Sequence, residues 1–410
     1  MATVKRHPLK LALFFICLML IPIVHLPPAD AMGKKPGTLT HSIQNFGPEA
    51  RLVKVLFEIS NDHLDSALRE VESLLSIYPN FRLAHLIHGD LLMAHAAPLT
   101  SFGDFTGAPK DRIEDLREEA LARLKRYVGQ SHQSQVPDNL VQFDPQQTNA
   151  IVIDTAKSRL YLFGNENGKP KYVGDYYITV GKKGADKTKE GDQRTPLGVY
   201  FITSSLPREK IGDFYGIGAF PLNYPNEWDR REGRNGHGIW LHGVPSDTYS
   251  RPPRASNGCV VLTNQDLKQV SHSLQIGLTS VIINDNIHWV NEATVEQEKA
   301  SLNKAIEAWR KDWESLNTER YLSHYSEKFS SGEQNFHDWA IQKRQVNAGK
   351  SSLKIDISRV SMFRYPGKDN MVVVTFEQDY HSNNLNNRMR KRQYWHVENG
   401  QWRIVYEGAA

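Results

Sequence analysis

The spacing of apolar residues changes twice along this chain of 410 residues. Each change marks a different kind of fold. Over about 40–130, Val53, Leu56, Leu64, Ala67, Leu68, Val71, Leu74 and Leu75 recur at the spacing of one helical face. Pro79 and Asn80 break the pattern, and Leu83, Ala84, Ile87, Leu91 and Leu92 resume it. A third helix is predicted from Arg112 to Val128, capped by Asp111. Over about 148–287 the period shortens. Ala150–Asp154, Arg159–Phe163, Tyr172–Val180, Gly198–Thr203, Gly238–His242 and Ser280–Ile283 read as short strands with Gly and Pro at their junctions. One helix interrupts them, from Asn264 to Leu274 with Thr263 as N-cap. Over about 297–407 helices come first, at Val295–Asn317, Tyr321–Phe329 and Phe336–Val346. Strands follow at Ile355–Met362, Met371–Asp379, Gln393–Glu398 and Trp402–Tyr406. The expected fold class is multi-domain: a helical N-terminal lobe, a mainly-β domain and an α+β C-terminal domain. Trp309, Trp313 and the later strands suggest that the last of these folds independently.

The first 31 residues have the form of an export signal. Lys5, Arg6 and Lys10 precede an apolar core from Leu11 to Val24, and Ala29-Asp30-Ala31 offers small residues at a cleavage site. The core is about 14 residues, short of the roughly 20 that span a bilayer. The expectation is cleavage after Ala31, a periplasmic or otherwise exported protein, and no stable membrane anchor afterwards. Losing Lys5, Arg6, Lys10 and Asp30 lowers the formal charge from +4 to +2. That balance gives no basis for nucleic-acid binding. Of the two cysteines, Cys17 and Cys259, the first leaves with the signal. A lone thiol in an oxidising compartment is a liability unless it is buried or does chemistry.

The surroundings of Cys259 favour chemistry. The runs are Gly238-Ile-Trp-Leu-His-Gly-Val-Pro and Ala255-Ser-Asn-Gly-Cys-Val-Val-Leu. A cysteine nucleophile needs a base, donors for an oxyanion, and exposure. His242 ends an apolar strand, shares a face with Trp240, and is placed to project into a cleft. Gly258 permits a backbone that could aim its own amide and that of Cys259 at one point. No carboxylate is needed to orient the imidazole, because the carbonyl of Gly243 can fix its tautomer.

His242-Gly243, followed by Ser256-Asn257-Gly258-Cys259, resembles the signature of the L,D-transpeptidase catalytic (YkuD-type) family. Arg194-Thr195-Pro196-Leu197-Gly198-Val199-Tyr200 is similar to that family's upstream motif. The C-terminal segment resembles the NTF2-like fold and, joined to the catalytic motifs, the family subset that includes L,D-carboxypeptidases. The first helices resemble a single tetratricopeptide hairpin. The resemblance implies a β-sandwich-like catalytic barrel and peptidoglycan stem tetrapeptides as substrate. Cys259 would attack the amide on the carboxyl side of an L-centre, releasing D-Ala and forming a thioester. An amine acceptor then gives transpeptidation, and water gives carboxypeptidase or amidase activity. A relic binding protein is a third reading, opposed by the intact Cys259 and His242. The chain departs from the family at Asn257, often His, and at Val261, usually Arg.

Ser256, Asn257, Trp240, His237, Arg254 and Tyr215 are the remaining substrate-binding candidates. The basic run Arg388, Arg390, Lys391, Arg392 is expected to be a solvated strand end. No zinc spacing, phosphate loop or dinucleotide fingerprint occurs, so neither metal nor cofactor is implied. The helical or NTF2-like lobe could dock a periplasmic protein partner.

Overall fold

The computed structural model describes residues 47–410 except 98, 100, 104–106, 129–133, 333 and 369. The export segment expected over 1–31 lies outside the described residues. The chain forms two compact units. One gathers the N-terminal helices with residues 213–216 and 244–255, and the other holds 131–212, 217–243 and 256–410.

The helical unit contains Pro48–Ser60, Leu64–Ile77, Arg82–Ala94 and Lys110–Val128. The continuous pattern from Val53 to Leu75 is therefore two helices. Asn61 caps the first, its amide and side chain both reaching the carbonyl of Phe57, and Asp62 turns the chain at a φ of 66°. Asn and Asp tolerate such turns better than other side chains. Asp111 lies in the first turn of the last helix and is not its cap. Leu52, Val55, Ala67, Val71, Leu74, Leu83, Ala84 and Ile87 form the core. Residues 244–255 are fastened to it. The ring of Tyr249 lies 4.2 Å from that of Phe81 and 5.1 Å from that of Tyr78. Ser250 Oγ donates to Glu119 at 2.7 Å, and Arg123 pairs with Glu119 at 2.9 Å and Glu49 at 3.2 Å. Burial pushes the Glu119 carboxyl up, with Arg123 and Ser250 opposing it.

The second unit is layered. A five-stranded sheet runs in the order 169–177, 159–166, 149–154, 280–284, 198–201. A four-stranded sheet runs 260–261, 240–242, 218–221, 206–207. A seven-stranded sheet runs 334–335, 325–331, 401–409, 386–398, 371–382, 353–364, 140–142. Strand Asn149–Asp154 explains why its sequence is apolar throughout. Ile151 and Ile153 enter a core with Leu241 and Val260 of the small sheet, while Ala150 and Val152 enter another with Phe363 and Val373 of the large one. A strand buried on both faces loses its alternation. The far face of the large sheet is covered by helix Glu292–Glu314 through Leu302, Ile306, Trp309 and Trp313.

Three expectations are corrected. The helix expected over Tyr321–Phe329 is a helix at Thr318–Leu322 followed by a strand at Tyr325–Ser331. Tyr321, Tyr325 and Phe329 are spaced like a helical face, but the strand's register shifts between Tyr325 and Ser330. Residues four apart share one face of a strand as they nearly do of a helix, so Tyr325 and Phe329 both reach the core. The helix expected to end at Leu274 stops at Ser271, although Thr263 does cap it by accepting from the amide of Asp266. Arg388 of the basic run is exposed, but the rest is not a solvated strand end. Arg392 pairs with Glu227 at 2.8 Å, Arg390 donates to the carbonyl of Gly277 at 3.1 Å, and Lys391 is buried against Glu407.

The Arg390 and Arg392 contacts belong to a seam along which the mainly-β and C-terminal domains pack in one compact unit. Trp228 stacks on Tyr394 at 5.5 Å, Arg231 donates to the carbonyls of Val405 and Lys328, and Arg359 pairs with Asp144 at 3.1 Å. Asp229 lies within the seam. Burial pushes its carboxyl up to about 6, against the amide of Asn226 and the hydroxyl of Tyr200. A carboxyl whose folded pKa is raised favours folding while it is protonated, and that contribution is lost as pH rises through about 6. Asp229→Asn is therefore expected to raise the melting temperature more at pH 7.5 than at pH 5. Between these two pH values the pH-dependent part is about 1.4 kcal/mol, one pKa unit's worth. Parallel melting curves with equal gains at both pH values would refute this.

Candidate active site

Strand Trp240–His242 lies between Gly218–Pro221, antiparallel, and Val260–Val261, parallel. Leu241 is in register with Val260, and both point into the core. His242 is in register with Val261, so their side chains share the opposite face. Trp240 and Cys259 each lie two residues earlier on the same alternation. The sheet thus carries His242 at the end of one strand and Cys259 at the residue just before the adjacent one. The connection between these parallel strands is the segment 243–259, most of which belongs to the helical unit.

The turn before Cys259 is held by backbone and hydroxyl contacts. Gly258 has a φ of 126°, and a Cβ there would lie 2.7 Å from the carbonyl oxygen of Arg194. Only glycine fits. Ser256 Oγ donates to the carbonyl of Cys259 at 2.6 Å and accepts from the amide of Gly258 at 3.1 Å. This corrects two expectations. Ser256 is buried and shapes the turn rather than offering itself to substrate. The Gly258 amide is already engaged, so it is not poised as an oxyanion donor. Thr195 Oγ, also buried, donates to the carbonyl of Gly258 at 3.0 Å and accepts from the amide of Gly181 at 2.9 Å. The upstream motif therefore grips the nucleophile turn directly.

His242 Nδ1 lies 2.7 Å from the carbonyl oxygen of Gly243. A carbonyl only accepts, so Nδ1 carries the proton and Nε2 is left as the basic nitrogen. The side chain is 2 % exposed, so it is packed in and not projecting freely into a cleft. The half-buried thiol of Cys259 donates to the carbonyl of Gly238 at 3.3 Å. Gly238 gave no sequence signal, because only its main chain takes part.

The other candidates are dispersed. Trp240 is half-buried beside His242 on its strand, and Asn257 is exposed on the turn. His237 is exposed and faces Glu190 at 3.6 Å, on the loop before Arg194. That loop is organised by Asp192. Burial raises its carboxyl, but Lys187 and the amides of Thr188, Lys189 and Arg194 prevail and hold it down at about 2. Tyr215 and Arg254 belong to the helical unit. Tyr215 packs edge-on against Phe214 at 5.1 Å, and Arg254 is exposed on strand Arg254–Ser256. Among the described residues, no group of three His, Cys, Asp or Glu side chains could hold a metal ion, and no helix is long and apolar enough to cross a membrane.

Comparison with known proteins agrees with this geometry. Residues 148–283 match the L,D-transpeptidase catalytic domain, and residues 301–408 match the Cds6 C-terminal NTF2-like domain. Bd1075 of Bdellovibrio bacteriovorus is similar at 27% identity and a TM-score of 0.59, over 67% of this chain and 98% of that one. Pgp2, the helical cell shape determining protein of Campylobacter jejuni, is similar at 26% identity and a TM-score of 0.57, over 69% of this chain and 96% of that one. No curated protein matches the sequence. The chain thus carries an L,D-transpeptidase catalytic domain joined to a Cds6-type C-terminal NTF2-like domain.

Proposed function

We propose that this chain is an exported peptidoglycan enzyme of cell-shape metabolism, working through a Cys259 thioester on stem tetrapeptides. The observation that supports the reading is that Cys259 directly precedes the strand paired in parallel with that of His242, whose Nδ1 is tied to Gly243. Nε2 takes the thiol proton as sulfur attacks the amide carbon. The C–N bond breaks, the imidazolium returns the proton to the leaving amine of D-Ala, and a thioester remains. An acceptor amine then attacks the thioester, forms a new amide and restores the thiol. This is L,D-transpeptidation, the first reading.

Hydrolysis is the second reading, and one observation favours it. Val261 stands where the family usually has Arg, and it is buried, its amide and carbonyl paired with Thr179. This position presents no guanidinium to a second peptide, and water then competes for the thioester. Incubating the protein with purified tetrapeptide muropeptides and weighing the products tests both. Dimers mean transpeptidation, and tripeptides alone mean hydrolysis. Cys259→Ala should abolish either product while the protein stays folded. A folded Cys259→Ala protein with wild-type turnover would sink the proposal.

A further inference from the structure

We infer that Tyr365 of the NTF2-like domain is a positioning residue for the Cys259 site, acting through the short segment from Arg194 to Gly198. The inference rests on Cys259 being the nucleophile proposed above, and it gives the C-terminal domain a part in the chemistry itself.

The segment has two gripped ends. At one end the carbonyl of Arg194 presses on Gly258, and Thr195 Oγ holds the Gly258 carbonyl at 3.0 Å. Gly258 is the residue before the thiol. At the other end Gly198 packs against two tyrosine hydroxyls. A Cβ on Gly198 would lie 2.6 Å from the Tyr365 hydroxyl and 2.8 Å from that of Tyr200. The two hydroxyls close on Gly198 together. Tyr365 is 4 % exposed and is fixed from its own domain, its amide donating to the carbonyl of Met371 at 2.8 Å. Its hydroxyl also accepts from Asn226 Nδ2 at 3.2 Å, and the same nitrogen donates to the carbonyl of Val199 at 3.0 Å. Tyr200 lies 3.0 Å from both the carbonyl of Leu197 and the carboxylate of Asp229. Every residue from Thr195 to Tyr200 except half-buried Leu197 is buried. Close packing leaves such a segment few ways to relax. A displacement at Gly198 is therefore delivered at Thr195, and from there to the turn that aims the thiol.

The test uses the full chain carrying Cys17→Ser, so that Cys259 is the single thiol. Tyr365→Phe removes one hydroxyl and keeps the ring. Expected is a fall in kcat of about 5–20-fold with KM within about twofold, since small misplacements of reacting groups are costly. Alkylation of Cys259 by iodoacetamide should show a changed rate and pH midpoint. Tyr394→Phe is the control. It removes a buried hydroxyl of the same seam, one that bonds Glu227 and touches nothing in the segment, and it should leave both readouts unchanged. Thr195→Val, at the other end, should reproduce the Tyr365→Phe pattern, and it carries the test if Tyr365→Phe does not fold. A folded Tyr365→Phe or Thr195→Val protein with wild-type alkylation and kcat overturns the inference. So does a Tyr394→Phe protein that moves both readouts equally. Alkylation needs no substrate. A wild type that converts no muropeptide would end the functional reading yet leave this comparison intact.

Discussion

His242→Gln is expected to slow acylation of Cys259 by about 10²–10⁴-fold, the usual worth of a positioned base. A free cysteine thiol has a pKa near 8.5, so only a few per cent is thiolate at neutral pH. The imidazole changes this by taking the proton during attack or by holding a standing ion pair with the thiolate. Glutamine is the informative replacement because His242 is nearly fully enclosed. Alanine would leave a cavity and confuse lost chemistry with lost packing. The Gln amide can still donate toward the carbonyl of Gly243, which His242 Nδ1 now satisfies at 2.7 Å. The measurement is thiol alkylation rate against pH together with melting temperature. A mutant with the wild-type alkylation profile and turnover would remove His242 as the base. A loss of activity that merely tracks a fall in melting temperature would make it structural.

A fragment confined to residues 148–290 is expected not to fold into a soluble domain. Ala150, Val152, Tyr161, Phe163, Val199, Phe201 and Ile282 form the outer face of its five-stranded sheet, and all are buried against Phe363, Tyr365, Met371, Val373, Tyr394 and Val405. At about 1.5–3 kcal/mol for each large side chain, exposing that face forfeits on the order of 10 kcal/mol. A typical domain has a net stability of about 5–15 kcal/mol. The fragment would also leave Glu227 without the guanidinium group of Arg392. Circular dichroism and size exclusion of the fragment decide it. A monomer with native β content and a cooperative melt would show that the seam is dispensable.

The architecture was legible where period and burial agree. The helical start, the β-rich middle and the helix-then-sheet ending all follow from spacing, and the likeness to the L,D-transpeptidase catalytic domain follows from its motifs. What stayed hidden depends on contacts between segments far apart in sequence. Arg390 and Arg392 look like a solvated cluster because Gly277 and Glu227 lie more than a hundred residues away. Tyr325 and Phe329 mimic a helical face because residues four apart fall on one side of a strand as well. Ser256 looks like a substrate ligand until its hydroxyl is seen to close the turn it stands in. Gly238 could not have been found at all, since a main-chain carbonyl has no residue code.

The crossover between His242 and Cys259 has a consequence for descent. Residues 244–255 lie inside the stretch matched as a catalytic domain, yet they are built into the helical unit through Tyr249 on Phe81 and Tyr78, and Ser250 on Glu119. The helices are therefore not a cassette that recombination can exchange whole. A transplanted catalytic domain would arrive with a tyrosine and a serine shaped for partners left behind. The old helices would keep a buried carboxylate that has lost its hydroxyl donor. Such matched positions must drift together, so among related chains a change at Tyr249 should be answered by one at Phe81 or Tyr78, and a change at Ser250 by one at Glu119.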